Sequence, residues 1–472
     1  MRELLWMIGE SFLIAFILTP IVRDVFRAYE VFDRPGHRKP HPHPIPRVGG
    51  IAVASAYVIP LVWTAGSDSA ISAHGFIAWQ LLPGAALVFF TGLLDDFFSL
   101  RPLVKFLAVV AAATIVFWNG LHVGTLALHA LPLWLDYPVT VFWLLLTSNA
   151  LNLIDGLDGL CAGMGALATL TLSTAALLDG NLLLAYATLP LAGALFGFLC
   201  YNTRPATVFL GDSGALSIGF LLGCYGMIWT QKATTLLSML LPLLILLIPL
   251  LDLSLAVVRR FLRNQPIFGA DADHIHHRLL SRGLSPGQTV GVLDLIAAVV
   301  AALALLATTK HSSRYQGFIL ALFCVAVWFG IRKLRYAEFG IAGRLLFGGR
   351  FQKTVNRELR MLRIASALER ADDDESWWNA LVGEGEALDL VAARWVGPHG
   401  VRQVVLAGNK APAWSLHIPL SETDSLELEG SFGEAVDSAN LIGFAEKAGR
   451  TFAAIRRLAS EAADGRMAAA LP

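Results

Sequence analysis

The sequence predicts an all-α polytopic membrane protein of about eleven transmembrane helices, followed by a small cytoplasmic α+β domain. Three observations carry that prediction. Of 472 residues, 56% are hydrophobic and 15% charged, with a mean hydropathy of +0.61, far from the balance of an ordinary soluble domain. Apolar runs of membrane-crossing length recur from the N-terminus to about residue 331. Past Lys333 the pattern changes to amphipathic helix and short alternating strands.

A hydrocarbon core of about 30 Å takes roughly 20 helical residues. That ruler places spans near 4–22, 48–65, 77–94, 103–119, 137–153, 160–178, 181–200, 214–230, 235–257, 288–308 and 314–331. The first, in MRELLWMIGESFLIAFILTPIV, has no small-residue cleavage site behind it and continues into RDVFRAYEVFDR, so it is expected to be retained. The fifth and ninth have the least distinct ends, because apolar sequence runs past them. Basic residues favour cytoplasmic connections. Arg23, Arg27, Arg34, Arg38, Lys39 and Arg47 lie in one connection, and Arg259, Arg260, Arg263, Arg278 and Arg282 in another on the same side. Alternate connections hold only Lys232, or Lys310 with Arg314, so the N-terminus is expected outside and the C-terminus inside.

Charge and cysteine usage exclude several classes. The 36 basic and 36 acidic residues balance, so bulk charge argues for no nucleic-acid partner. Cys161, Cys200, Cys224 and Cys324 stand far apart without CxxC or Cys/His spacing, which implies neither a disulfide framework nor a zinc site.

Polar residues gather in five inner connections: DRPGHRKPHPHPIPRVGG (33–50), GLLDDFFSLRPLVKF (92–106), NALNLIDGLDGL (149–160), YNTRPATVFLGDSG (201–214) and GADADHIHHRLL (269–280). Acids at helix ends can be interfacial caps, but their gathering on one face points to a site. Asp95, Asp96, Asp155, Asp158 and Asp212 supply the oxygen ligands that Mg²⁺ takes beside phosphate and water, which suits phosphoryl transfer. Glycines in DGLDGL and GDSG let backbone approach a bulky anion, and GDSG opens a span whose N-terminus favours phosphate. Lys105, one turn after Arg101, either neutralises pyrophosphate or snorkels to the interface. His274, His276 and His277 read either as a metal site or as phosphate and base contacts beside Arg278. His37, His41 and His43 lie among prolines, where an extended solvated loop is as good a reading as binding.

Together LLDDFFSL, NALNLIDGLDGL, VFLGDSGALSIG and DADHIHHRLL, in this order between these spans, resemble the polyprenyl-phosphate N-acetylhexosamine-1-phosphate transferases, the group that includes the bacterial WecA, TagO and MraY enzymes. The resemblance covers roughly residues 1–335. The HIHH form with RKPHPHPIPRVGG is closer to the branch that uses UDP-N-acetylglucosamine than to the branch making the peptidoglycan precursor. It implies transfer of a sugar 1-phosphate from a UDP-sugar to polyprenyl (undecaprenyl) phosphate, releasing UMP, at the cytoplasmic surface of the bacterial inner membrane. The family pattern makes Asp212 a Mg²⁺ ligand, with Mn²⁺ an alternative ion, and gives Asn152 a share in holding metal and pyrophosphate. Asp155 and Asp158 fall at nucleotide-contacting and catalytic positions, and Asp95 and Asp96 at the pair assigned to lipid-phosphate activation. Lys105 matches a pyrophosphate-binding lysine, and Asp33, Asp271 and His274 match further functional positions; His276 and His277, beside Arg278, are read as substrate contacts from their own chemistry. Some relatives carry a third acid where this sequence has Ser99.

After the spans, AGRLLFGGRFQKTVNRELRMLRIASALERADDDESWWNALV reads as a basic juxtamembrane stretch and an amphipathic helix. WSLHIPL and SLELEG read as strands, and LIGFAEKAGRTFAAIRRLASEA as a closing helix. The expected domains are 1–335 in the membrane, a linker at 336–356 and a cytoplasmic α+β domain at 357–472, loosely similar to a GAF-type sensor. A packing or dimerising role, making a homodimer, is preferred there over ligand sensing. The competing functional class is a polytopic transporter or a receptor signalling through this domain. A transporter would place its ionisable groups near mid-membrane instead of at helix ends.

Overall fold

The structure, a computed structural model, describes residues 2–29, 45–65, 72–126, 129–231, 236–262 and 274–308. Further along it describes most of 363–383, 390–406 and 411–431, part of 444–456, and the isolated positions 321 and 325. The chain divides into two units, Met1–Val257 with Phe268–Leu334, and Val258–Ile267 with Arg335–Pro472.

The first unit is helical. Its elements are α1 (Arg2–Ala28), α2 (Gly49–Ala65), α3 (Ser72–Phe98), α4 (Pro102–Trp118), a two-residue hairpin β1 (Thr125–Leu126) and β2 (His129–Ala130), α5 (Leu133–Ile154), α6 (Leu160–Leu178), α7 (Leu182–Asn202), α8 (Gly211–Gln231), α9 (Leu236–Ile245), α10 (Leu247–Leu262), α11 (Ile275–Leu280) and α12 (Pro286–Thr308). Among the described residues, seven helices are long and apolar enough to cross a membrane: α1, α3, α5, α6, α7, α8 and α12. The apolar α2 and α4 are shorter. The ninth expected span is not one helix but two, α9 and α10, separated at Leu246. Pro249 has no N–H to offer the carbonyl of Ile245, which ends the continuous hydrogen-bond ladder there. The eleventh expected span, 314–331, lies outside the described residues apart from two positions.

Helix α8 forms the centre of this unit, buried from Gly211 to Trp229 and packed against α2, α3, α5 and α6. Small residues make that enclosure feasible, because without lipid-excluded hydrophobic gain helices in a bilayer associate through close backbone packing. A Cβ on Gly219 would lie 2.5 Å from the Thr147 carbonyl of α5, and one on Gly92 of α3 would lie 2.6 Å from the Asp212 carbonyl. The indole of Trp143 donates to the Gly223 carbonyl at 2.9 Å. The same device joins α1 to α7, where Gly193 and Gly197 face the carbonyls of Ile8 and Phe12. At the N-terminal end of α5, buried Asp136 meets His122 at 2.5 Å and accepts from the Gly124 N–H at 2.9 Å, which holds the hairpin segment in place.

In the second unit, α13 (Asp374–Gly383) precedes β3 (Leu390–Gly397), β4 (Gly400–Val405), β5 (Trp414–Pro419) and β6 (Ser425–Gly430). The sheet is antiparallel in the order β4-β3-β6-β5. Leu426 and Leu428 alternate inward from β6 onto Trp377, Trp395 and Phe452, which form an aromatic core. WSLHIPL and SLELEG supply β5 and β6.

Candidate active site

The polar motifs meet where α3 ends and α8 begins. An α-helix starts with backbone N–H groups that have no partner within it. Asp96, in the last turn of α3, supplies the partners for α8: Oδ1 accepts from Asp212 N at 2.7 Å, and Oδ2 from Ser213 N at 3.0 Å and Ser213 Oγ at 2.7 Å. Gly211 permits this approach, with φ +77° and no side chain to collide with the Asp96 carboxylate. Asp96 is therefore a cap supplied from another helix, and it fixes the position of its neighbour Asp212. This pairing is not legible in the sequence, since the partners are 116 residues apart.

Asp95 turns the other way. Its Oδ1 accepts from Leu100 N at 2.7 Å, closing the turn in which Ser99 takes φ +49°, and its Oδ2 lies 3.0 Å from Lys105 Nζ. The same ammonium lies 2.7 Å from Asp212 Oδ2, so one cation bridges two carboxylates. Arg47 reaches Asp212 Oδ1 at 3.5 Å, and Asn152 Nδ2 reaches its Oδ2 at 3.4 Å. Asp95 and Asp212 are mostly enclosed, with side chains 13% and 12% exposed. Pairs in such surroundings interact more strongly than on an open surface. The sequence reading singled out Lys105 as a phosphate contact; Arg47 entered it only as one of several loop charges.

The donors around Lys105 are oxygen-bearing side chains, Asp95, Asp212 and the Asn152 amide, the chemistry that a hard divalent cation takes. Lys105 already holds positive charge between the two carboxylates. Among the described residues, no three His, Cys, Asp or Glu side chains converge as a cage. That donor set suits an ion that completes its shell with phosphate oxygens and water.

Asp155 terminates α5, and the turn to α6 runs through Gly156, Asp158 and Gly159, the last with φ +81°. Burial pushes the Asp155 carboxyl up to about 7, against the opposing pull of Arg47. Asp158 accepts from Ala206 N at 3.1 Å, and Gly159 N donates to Asn202 Oδ1 at 3.2 Å, tying the turn to the segment after α7. His276 packs onto the same turn: a Cβ on Gly156 would lie 2.8 Å from its Nε2. Burial, reinforced by His277, lowers the His276 imidazole to about 4. His274 precedes α11 with its ring parallel to that of His276 at 5.8 Å, while His277 lies 4.3 Å from His276. Asp33 and Asp271, together with His37, His41 and His43, lie outside the described residues. An apolar cavity of about 510 Å³ opens beside the start of α8, between α2, α3 and α8, and reaches Ser213 and Gly214.

The family model for glycosyl transferase family 4 matches residues 78–230, from α3 through α8. A Bacillus subtilis protein named "Probable undecaprenyl-phosphate N-acetylglucosaminyl 1-phosphate transferase" is 35% identical over 324 residues, covering 66% of this chain and 88% of the relative. The decaprenyl-phosphate N-acetylglucosaminephosphotransferase of Mycobacterium tuberculosis is 33% identical over 64% of this chain and 81% of its own. The undecaprenyl-phosphate alpha-N-acetylglucosaminyl 1-phosphate transferase of Escherichia coli O157:H7 is 29% identical over 64% and 83% respectively. None of these three is named as a transporter or receptor. With 35% identity to the Bacillus relative over 88% of its length, the chain belongs to the polyprenyl-phosphate N-acetylhexosamine-1-phosphate transferase family.

Proposed function

We propose that the protein transfers N-acetylglucosamine 1-phosphate from its UDP-sugar to a polyprenyl phosphate, releasing UMP and starting a lipid-linked envelope polysaccharide. The observation that carries this reading is the meeting of Asp95, Lys105, Asn152 and Asp212 at the ends of α3, α4, α5 and α8. A water-soluble anionic donor and a membrane-held acceptor can meet only where a polar site opens beside apolar helices. An oxygen of the lipid phosphate attacks the phosphorus that bears the sugar. The bond from that phosphorus to the bridging oxygen breaks, and the electron pair leaves with UMP. A phosphate monoester has its second pKa near 6, so the acceptor is already largely dianionic at neutral pH and needs little help from a base. Asp95, held by Lys105 and Leu100 N, positions the acceptor and its counter-charges rather than deprotonating it.

Lys105 and Arg47 offset the charge of two phosphates brought together. Asp212 with Asn152 would hold Mg²⁺, with Mn²⁺ an alternative, and when bound the ion supplies neutralisation of the diphosphate. Asp155 faces the nucleotide, Asp158 braces the turn, and His274, His276 and His277 contact the donor together with Asp33 and Asp271. The same reading takes the membrane domain as 1–335 with eleven spans and its site on the cytoplasmic face of the inner membrane. It takes 336–356 as a linker and 357–472 as a GAF-like cytoplasmic domain that supports a homodimer. The test is direct: purified protein with Mg²⁺, UDP-N-acetylglucosamine and undecaprenyl phosphate should yield UMP and a lipid-linked sugar. Absence of UMP release with every UDP-N-acetylhexosamine tried would overturn it.

A further inference from the structure

The lone acid in the apolar run of α10 entered neither the sequence motifs nor the reaction above. Asp252 is 1% exposed, within IPLLDLSLAVV. A carboxylate buried in an apolar helix costs several kcal/mol unless its oxygens are met, so its surroundings report what it is for. Its Oδ1 accepts from Ile275 N at 2.9 Å. That N–H belongs to the first residue of α11, whose capping residue His274 provides no side-chain cap. Its Oδ2 lies 3.3 Å from His274 Nδ1, within ion-pair distance, and among the described residues neither of these two buried atoms makes a hydrogen bond, so each is the nearest group that can satisfy the other. One carboxylate thus meets both the backbone that opens α11 and the ring that precedes it.

We propose that Asp252 is a positioning residue for transfer, holding His274 in the tautomer and orientation the reaction uses. An imidazole whose Nδ1–H faces a carboxylate carries its lone pair on Nε2, directed away from that carboxylate. The His274 ring is parallel to that of His276 within 8°, and His276 rests on Gly156 of the DGLDGL turn. Asp252 is therefore the base of a contiguous stack running from α10 through two imidazoles to the acidic turn after α5.

This inference rests on the proposed transfer reaction, and the experiment separates the two. UMP release by the wild-type full-length enzyme tests the reaction; variants at 252 test the positioning. Asp252→Asn keeps the volume and an acceptor for Ile275 N but presents an amide N–H₂ or a neutral oxygen to the ring. It should lower turnover by about tenfold or more, while Asp252→Glu, which keeps the charge, should retain more activity than the asparagine variant. In a His274→Ala background the Asp252→Asn change should cost less than about twofold, because the ring it positions is gone. A purely structural acid would instead cost the same in both backgrounds. Wild-type-like turnover in Asp252→Asn, an undiminished loss in the His274→Ala background, or a glutamate variant no better than asparagine would each overturn the assignment.

Discussion

At the scale of single residues, one carboxylate joins four of the side chains that gather at the site. Asp212 meets Lys105, Arg47 and Asn152 through its side chain and Asp96 through its backbone. Asp212→Asn should lower UMP release by about 100-fold or more, with the thermal melt little changed because the Asp96 cap is made to the backbone of residue 212. Chelation with EDTA should silence the wild type, and added Mg²⁺ should restore it; full activity in EDTA would remove the metal from the mechanism. His276 gives a second prediction, in pH. Its folded imidazole titrates at about 4 and an unfolded one near 6.5, so between those values the unfolded chain binds the extra proton. Stability is unaffected above pH 6.5, falls as pH drops toward 4, and loses no more below it. Melting curves in detergent from pH 7.5 to 4.5 should therefore drop more steeply for wild type than for His276→Gln; parallel curves would contradict the burial argument. At this scale the sequence was legible where chemistry is dense. LLDD, NALNLIDGLDGL, GDSG and HIHH mark their residues by type, whereas Asp96 as a cap and Asp252 beneath His274 depend on partners that only the fold brings near.

At the scale of elements, the crossing of α3 over α8 decides where Asp212 stands. Gly92 presses against the Asp212 carbonyl and the Ser213 backbone, atoms that cannot rotate out of the way. Gly92→Ala should destabilise the protein by about 1–3 kcal/mol and impair transfer together with the melt. Gly9→Ala on α1, where an added methyl meets nothing within 4 Å, is the matched control and should be neutral or slightly stabilising. Equal behaviour of the two variants would show that the crossing is looser than its distances. Helix positions were readable because bilayer thickness sets the length of an apolar run; α6 occupies 160–178 as the ruler places it. The broken helix at Leu246 was less readable, since Pro242 and Pro249 both lie in an apolar stretch and prolines are tolerated inside several other helices here, including Pro83 and Pro190. The small hairpin at 125–130 carries only two paired residues per strand, too few for an alternating pattern to register.

At the scale of the whole molecule, the residues that meet around Asp212 all belong to the first unit, and the second unit has its own aromatic core. Truncation after Lys333 should therefore leave an enzyme that still releases UMP, with altered stability or oligomeric mass by light scattering. Loss of turnover in a truncated protein that retains a cooperative melt would assign the second unit a part in the reaction. The sheet was foreseeable from the alternation in SLELEG, where Leu426 and Leu428 point inward, but its strand order was not, because β3 pairs with β6 across a long gap in sequence. The burial of α8 has one more consequence. A helix surrounded on all sides exchanges its amide hydrogens only through large openings of the bundle, so its amides should be among the slowest to take up deuterium. The Asp212 end of the candidate site is thus built on the most enclosed of the described spans, and new donor specificities in this architecture should arise through the turns that face α8, since a change within α8 disturbs its packing against α2, α3, α5 and α6 at once.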